Sequence, residues 1–102
     1  MQDAIDMTTR FRTGLPSGMP LSETFDVETI TGLLSVQGCK YLRIYYGMKE
    51  NREVHAILVA ADENNADILP AADLETNDNN PIIVDEGIRC PPVCPPPSSL
   101  NT

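Results

Sequence analysis

Residues 39–47 read Cys39-Lys-Tyr-Leu-Arg-Ile-Tyr-Tyr-Gly47, and residues 54–61 read Val54-His-Ala-Ile-Leu-Val-Ala-Ala61, with the polar stretch Met48–Glu53 between them. Both runs are rich in β-branched, aromatic and aliphatic residues, so the pattern predicts two strands of an antiparallel hairpin. With the turn at Lys49–Arg52, Tyr46 falls opposite His55, Ile44 opposite Ile57 and Leu42 opposite Val59. The two-residue period of a strand puts all of these on one face, the predicted core. The other face then carries Tyr41, Arg43 and Tyr45 opposite Ala60, Leu58 and Ala56. Phenols and a guanidinium over small apolar side chains are the composition of a covered face, covered either by the first helix or the C-terminal strap, which is slightly favoured, or by a partner.

Upstream, Ala4, Met7, Thr8, Phe11 and Leu15 follow helical spacing, which predicts a helix over residues 3–12 that ends before Gly14 and Pro16. A loop follows through Pro20. Asp26 is placed to cap a second helix, and Phe25 and Ile30 stand at the positions of a hydrophobic staple. Val27, Ile30, Thr31 and Leu34 make its expected buried face, and Gly38 is a natural left-handed stop. Gly32 weakens this helix by about 1 kcal/mol against Ala unless its missing side chain allows close packing.

Downstream lie a polar turn at Asp62–Asp67, a further short element at Ala71–Leu74, a loop at Thr76–Asn80 and a short strand at Pro81–Val84. Pro81 confines that strand to a sheet edge or a strand start. The chain closes on Cys90-Pro-Pro-Val-Cys94-Pro-Pro-Pro. Proline fixes φ and removes a donor, so residues 89–102 are expected to form an extended Pro/Cys-rich strap behind a single domain at 1–88. The fold class is α+β: two short N-terminal helices packed on a small antiparallel sheet built around the 39–61 hairpin.

Gly38-Cys39, the run Leu42-Arg43-Ile44-Tyr45-Tyr46-Gly47, the apolar second strand ending in an Asp/Asn-rich turn, and the Cys-Pro-Pro-x-Cys end resemble a family of short uncharacterised proteins of Bacteroidota. The resemblance covers roughly residues 25–94 and implies a shared architecture, without a reaction. This chain departs from it at Asp62–Asp67, which lacks the glycine of that turn in relatives.

Composition limits function. Seven Lys and Arg against fifteen Asp and Glu give a net charge of −8, and the basic residues are scattered, so a nucleic acid or an anionic membrane surface finds no cationic footprint. No run approaches the ~18 apolar residues of a membrane span. The first residues carry Asp3 and Asp6 where a secretory signal carries positive charge, which predicts a cytoplasmic protein. Export by a route that needs no such signal is compatible with it.

Candidate chemistry is sparse. Cys90 and Cys94 are spaced for a local disulfide, for two free thiols, or for metal ligation shared with another chain, and the sequence leaves these open. An intramolecular zinc quartet of Cys39, His55, Cys90 and Cys94 is disfavoured, because Cys39 and His55 lie at distant points of the hairpin. His55, the only histidine, is expected to pack beside Tyr46. Asp62-x-Asn64-x-x-Asp67 echoes a calcium loop but lacks its central glycine and closing glutamate, so a solvated turn is expected. No nucleophile motif, phosphate loop or cofactor fingerprint is present. The expectation is a non-enzymatic interaction or self-assembling module without a cofactor. Its contacts would be Tyr41, Arg43 and Tyr45, the hairpin edge, and Pro91 and Pro92 of the strap. The alternative is a thiol or metal-binding protein using Cys90 and Cys94.

Overall fold

The structure is a computed structural model that describes residues 1–70 and 83–101. Its elements run α1 (Gln2–Thr13), β1 (Ser22–Thr24), α2 (Val27–Leu34), β2 (Tyr41–Met48), β3 (Val54–Ala61), β4 (Asp67–Ile68), β5 (Ile83–Val84) and β6 (Ile88–Cys90). The α+β class holds. Helices and antiparallel sheets are both present, with β2, β3, β4 and β5 in one sheet and β1 paired with β6 in another. The element expected at Ala71–Leu74, the Thr76–Asn80 loop and the start of the Pro81–Val84 strand lie outside the described residues.

The hairpin forms where the sequence places it, but in a different register. Tyr45 faces Ile57, Ile44 faces Leu58, Arg43 faces Val59 and Gly47 faces His55. The cause is the turn. Lys49 N–H donates to Glu53 O, closing the loop one residue later than expected, and Arg52 takes the left-handed position at φ 72°. A turn of this kind usually marks that position with glycine, and here nothing marks it. A slip of one residue exchanges the faces of one strand relative to its partner. Leu42, Ile44, Tyr46 and Met48 therefore share a face with Leu58, Ala60, Ala56 and Val54, while Ile57 and Val59 turn to the side of Arg43 and Tyr45.

α2 covers the first of these faces. Leu33 is fully buried and packs with Leu58, Ala60 and Val84, with Phe25, Ile30, Val36 and Ile68 around them. The Asp26 cap is present: its carboxylate accepts from Thr29 N–H at 2.9 Å and from the Thr29 hydroxyl at 2.7 Å. These bonds hold the Asp26 carboxyl below the ordinary carboxylate range. The expected buried stripe is rotated, however. Val27, Thr31 and Leu34 are exposed, Ile30 packs inward as expected, and Leu33 is buried in their place. Gly32 is itself exposed, so it serves no close packing.

α2 lies on the sheet, against β3 and β5. α1 contains no buried residue, and Arg12 near its end donates to Leu100 O at 2.9 Å. The domain boundary expected at residue 88 falls inside β6, whose Arg89 and Cys90 belong to the folded body. Arg89 donates to Val54 O, Gly18 O and Glu53 Oε2, and so ties the second sheet and the 16–20 loop to the start of β3. Gly18 is required in that loop. Its φ is +86°, and a Cβ there would lie 2.1 Å from Arg52 O.

Candidate functional site

Backbone hydrogen bonds in an antiparallel pair alternate, so each strand points every second residue's N–H and C=O away from its partner. The Lys49 N–H to Glu53 O bond puts the odd-numbered residues of β2 in the hydrogen-bonded pairs with β3. The N–H and C=O groups of Leu42, Ile44, Tyr46 and Met48 consequently face outward. The same parity on β3 is seen directly, because Val54 N–H reaches Gly18 O at 2.8 Å and Ala56 N–H reaches Glu23 Oε1 at 2.7 Å.

The two sides of the hairpin are finished differently. On the far side of β3, Gly18 O receives Val54, the Glu23 carboxylate receives Ala56, β5 pairs with Leu58 and Val59, and β4 pairs with Ala60 and Ala61. A carboxylate side chain here takes the place of a strand. On the far side of β2, no strand pairs among the described residues. Among these residues β2 is therefore an open edge. Its side chains on the α2 face are also uncovered: Leu42, Ile44, Tyr46 and Met48 are 43%, 48%, 73% and 60% exposed. α2 covers the β3 half of this face. Between β2 and the chain around Phe11, Leu21 and Phe25 this leaves an apolar groove of about 560 Å³, floored by Leu42, Ile44 and Ala56.

The opposite face carries the expected contact residues Tyr41, Arg43 and Tyr45, and two of them are engaged within the chain. Arg43 pairs with the Asp67 carboxylate and donates to Asn65 O at 3.1 Å, and Tyr45 Oη donates to the other Asp67 oxygen. Asp67 reaches them because the Asp62–Asp67 turn is built on Asp62, whose Oδ1 accepts from Asn64 N–H and Ala66 N–H. The Tyr45 phenol and then the Arg43 guanidinium hold the Asp67 carboxyl below its ordinary range. In return the bond to Asp67 raises the Tyr45 phenol and the Arg43 guanidinium. Tyr41 stays half exposed beside this knot.

His55 lies opposite Gly47 rather than Tyr46, a consequence of the register. It is buried, neither ring nitrogen has a hydrogen-bond partner among the described residues, and Nε2 stands 3.7 Å from Glu53 Oε1. Glu53 is held below the ordinary range by its bond from Asn51 and by the nearby Arg89 guanidinium. Cys90 and Cys94 are joined to each other, and Cys39 is the free thiol. Between the two joined cysteines the chain does not run as the expected extended strap. Val93 N–H returns to Arg89 O at 3.1 Å, so Pro91 and Pro92 occupy a turn, with Pro91, Pro92 and Val93 exposed. Beyond it, Pro95, Pro96 and Leu100 border a second groove with Thr8, Phe11 and Arg12 of α1. Among the described residues, no three or more His, Cys, Asp and Glu side chains are grouped to hold a metal ion. No helix among them is long and apolar enough to cross a membrane.

Sequence reasoning placed Arg43 and Tyr45 on one face and missed their partner, Asp67. It also missed Glu23, for which no local signal exists, because a glutamate that ends a strand ladder looks like any surface acid. No family model, curated protein or solved structure matches this chain.

Proposed function

We propose that this chain is a non-enzymatic protein–protein contact module. Its recognition surface is the open edge of β2 together with the exposed side chains of Leu42, Ile44, Tyr46 and Met48. The observation that carries the reading is the contrast between the two sides of the hairpin. Every position along the far side of β3 is met by another part of the chain, while β2 presents a ladder of outward donors and acceptors beside uncovered apolar side chains. An edge of this kind accepts an added strand: main-chain bonds supply affinity and alternate side chains supply selectivity. The groove beside Leu42 and Ile44 gives an incoming side chain an apolar seat. The tyrosine and arginine face is the weaker surface, because Arg43 and Tyr45 already spend their polar groups on Asp67 and Asn65. In this reading the joined Cys90 and Cys94 close a structural turn, which leaves a thiol or metal-binding role with less support.

Amide hydrogen exchange on the dilute protein tests the reading residue by residue. The amides of Leu42, Ile44, Tyr46 and Met48 are expected to exchange fast, and those of Arg43, Tyr45 and Gly47 slowly. Protection of both sets at high dilution would mean that the chain covers its own edge, and the reading would fail.

A further inference from the structure

We propose that the Cys90–Cys94 disulfide is a redox latch: it holds the 95–101 segment against α1, and its reduction releases that segment and α1 together. The proposal stands apart from whether β2 takes up a partner.

The two sulfurs sit in unlike settings. Cys90 is 3% exposed and fixed by the main chain, since it pairs with Ser22 and its carbonyl accepts from Leu21 N–H at 2.7 Å. Cys94 is exposed, beyond a turn whose Pro91 and Pro92 have no N–H to give. The bond from Val93 N–H to Arg89 O is a main-chain tie across that turn, and the disulfide is the covalent one. Past Cys94 the chain folds on itself. Asn101 N–H donates to Ser98 O, its side-chain amide donates to Pro96 O, and its Oδ1 accepts from Ser98 N–H. The tip at 96–101 is thus a small self-bonded block. It meets α1 through Leu100 O, which accepts from Arg12, and through the groove that Pro95, Pro96 and Leu100 share with Thr8 and Phe11. α1 has no buried residue, and a helix of 12 residues is marginal in water without tertiary contact. What secures the block therefore secures α1. Phe11 also borders the groove beside Leu42 and Ile44, so release of α1 takes away one of its walls.

The chemistry starts from the open end. A thiolate of an external dithiol attacks Cys94 Sγ, the S–S bond breaks, and Cys90 leaves as a thiolate that takes up a proton. The second thiol of the dithiol then displaces Cys94 and closes the dithiol's own disulfide, and Cys94 takes up the other proton. The protein gains two electrons and two protons, and the dithiol gives up the same. A disulfide over so short a loop restrains the unfolded chain less than a long one does, so reduction acts locally and leaves both sheets intact.

Amide exchange on the full chain with and without dithiothreitol tests the latch, with thiols counted in the same samples. Oxidised protein is expected to show the Cys39 thiol alone, and reduced protein Cys39, Cys90 and Cys94. On reduction the amides of Arg10, Phe11 and Arg12 should exchange about ten-fold faster, while those of Leu21, Arg43 and Tyr45 keep their protection. Cys94→Ser, a change at an exposed position, should show fast exchange in α1 with or without dithiothreitol, and retained protection of Arg43 and Tyr45 confirms that it folds. Titration of all three cysteines in air-oxidised protein, or α1 amides that exchange alike in both states, overturns the proposal. Loss of protection at Arg43 and Tyr45 on reduction also overturns it, because the bond would then brace the whole fold. The contact-module reading is decided by other amides, those of Leu42, Ile44, Tyr46 and Met48 in the oxidised protein, so the two fail separately.

Discussion

Asp67 holds two side chains of β2 at once, and its protonation links stability to pH. Its carboxyl lies below the ordinary range first because the Tyr45 phenol donates to it, then because Arg43 does. A carboxyl depressed by folding contributes fully above its unfolded value near pH 4, and the contribution is lost as pH falls through the folded value. Tyr45 has the opposite sign. Its phenol is raised, so its contribution is full below about pH 10 and is lost as pH climbs beyond that. Tyr45→Phe is expected to bring Asp67 back up toward the ordinary range, read by carboxyl carbon NMR, and to remove the alkaline loss of stability. An unchanged Asp67 titration would show that the phenol does not hold the carboxylate. Single residues also account for what was least legible in the sequence. Arg52 adopts φ 72° without glycine chemistry to announce it, and that one hidden left-handed residue moves the register of the whole hairpin.

At the scale of elements, legibility follows length and periodicity. The hairpin strands are long and strongly apolar, and both were readable together with the Asp26 cap and helix α1. The side of α2 that packs was not, because Val27, Ile30, Leu33 and Leu34 allow two overlapping stripes in an eight-residue helix. The tertiary contact with Leu58 and Val84 decides between them. Leu33→Ala is expected to cost about 2–5 kcal/mol by leaving a cavity, whereas Leu34→Ala, at an exposed position, should stay within about 0.5 kcal/mol. Urea denaturation followed by circular dichroism measures both, and equal losses would contradict the observed orientation of the helix. β1 and β6 were not legible at all. They are three residues each, and Ser22-Glu23-Thr24 has no apolar pattern; pairing with Ile88–Cys90 across the chain makes it a strand. The open edge was readable in principle as an unpaired hairpin side. The choice of its apolar face over the tyrosine and arginine face depended on the register and on Asp67.

Over the whole molecule, Arg89 does the joining. Its guanidinium gathers Gly18 O, Val54 O and Glu53 from distant parts of the chain while remaining largely buried. Arg89→Met keeps the bulk of the side chain and removes the donors, leaving Val54 O without this partner. The expected cost is on the order of 1–3 kcal/mol, seen as a lower urea midpoint with an unchanged slope. A neutral result would mean that the bond from Ala56 to the Glu23 carboxylate and packing hold the two sheets together without it. Acid acts at the same scale: Asp26, Glu53 and Asp67 all sit below the ordinary range, so stability is expected to fall as pH drops through and below about 4. The patchwork cover along the far side of β3 also limits how far assembly can run. A foreign segment arriving there would have to evict Gly18, Glu23, β4 and β5, which come from separate stretches of the chain and cannot be peeled away as one piece. The eight-residue β2 is therefore the one long margin of the larger sheet among the described residues, since β4 and β5 on the other side are two residues each. Addition at that margin leaves short strands as the remaining edges, so the uncovered backbone that invites company gives little purchase for filament growth.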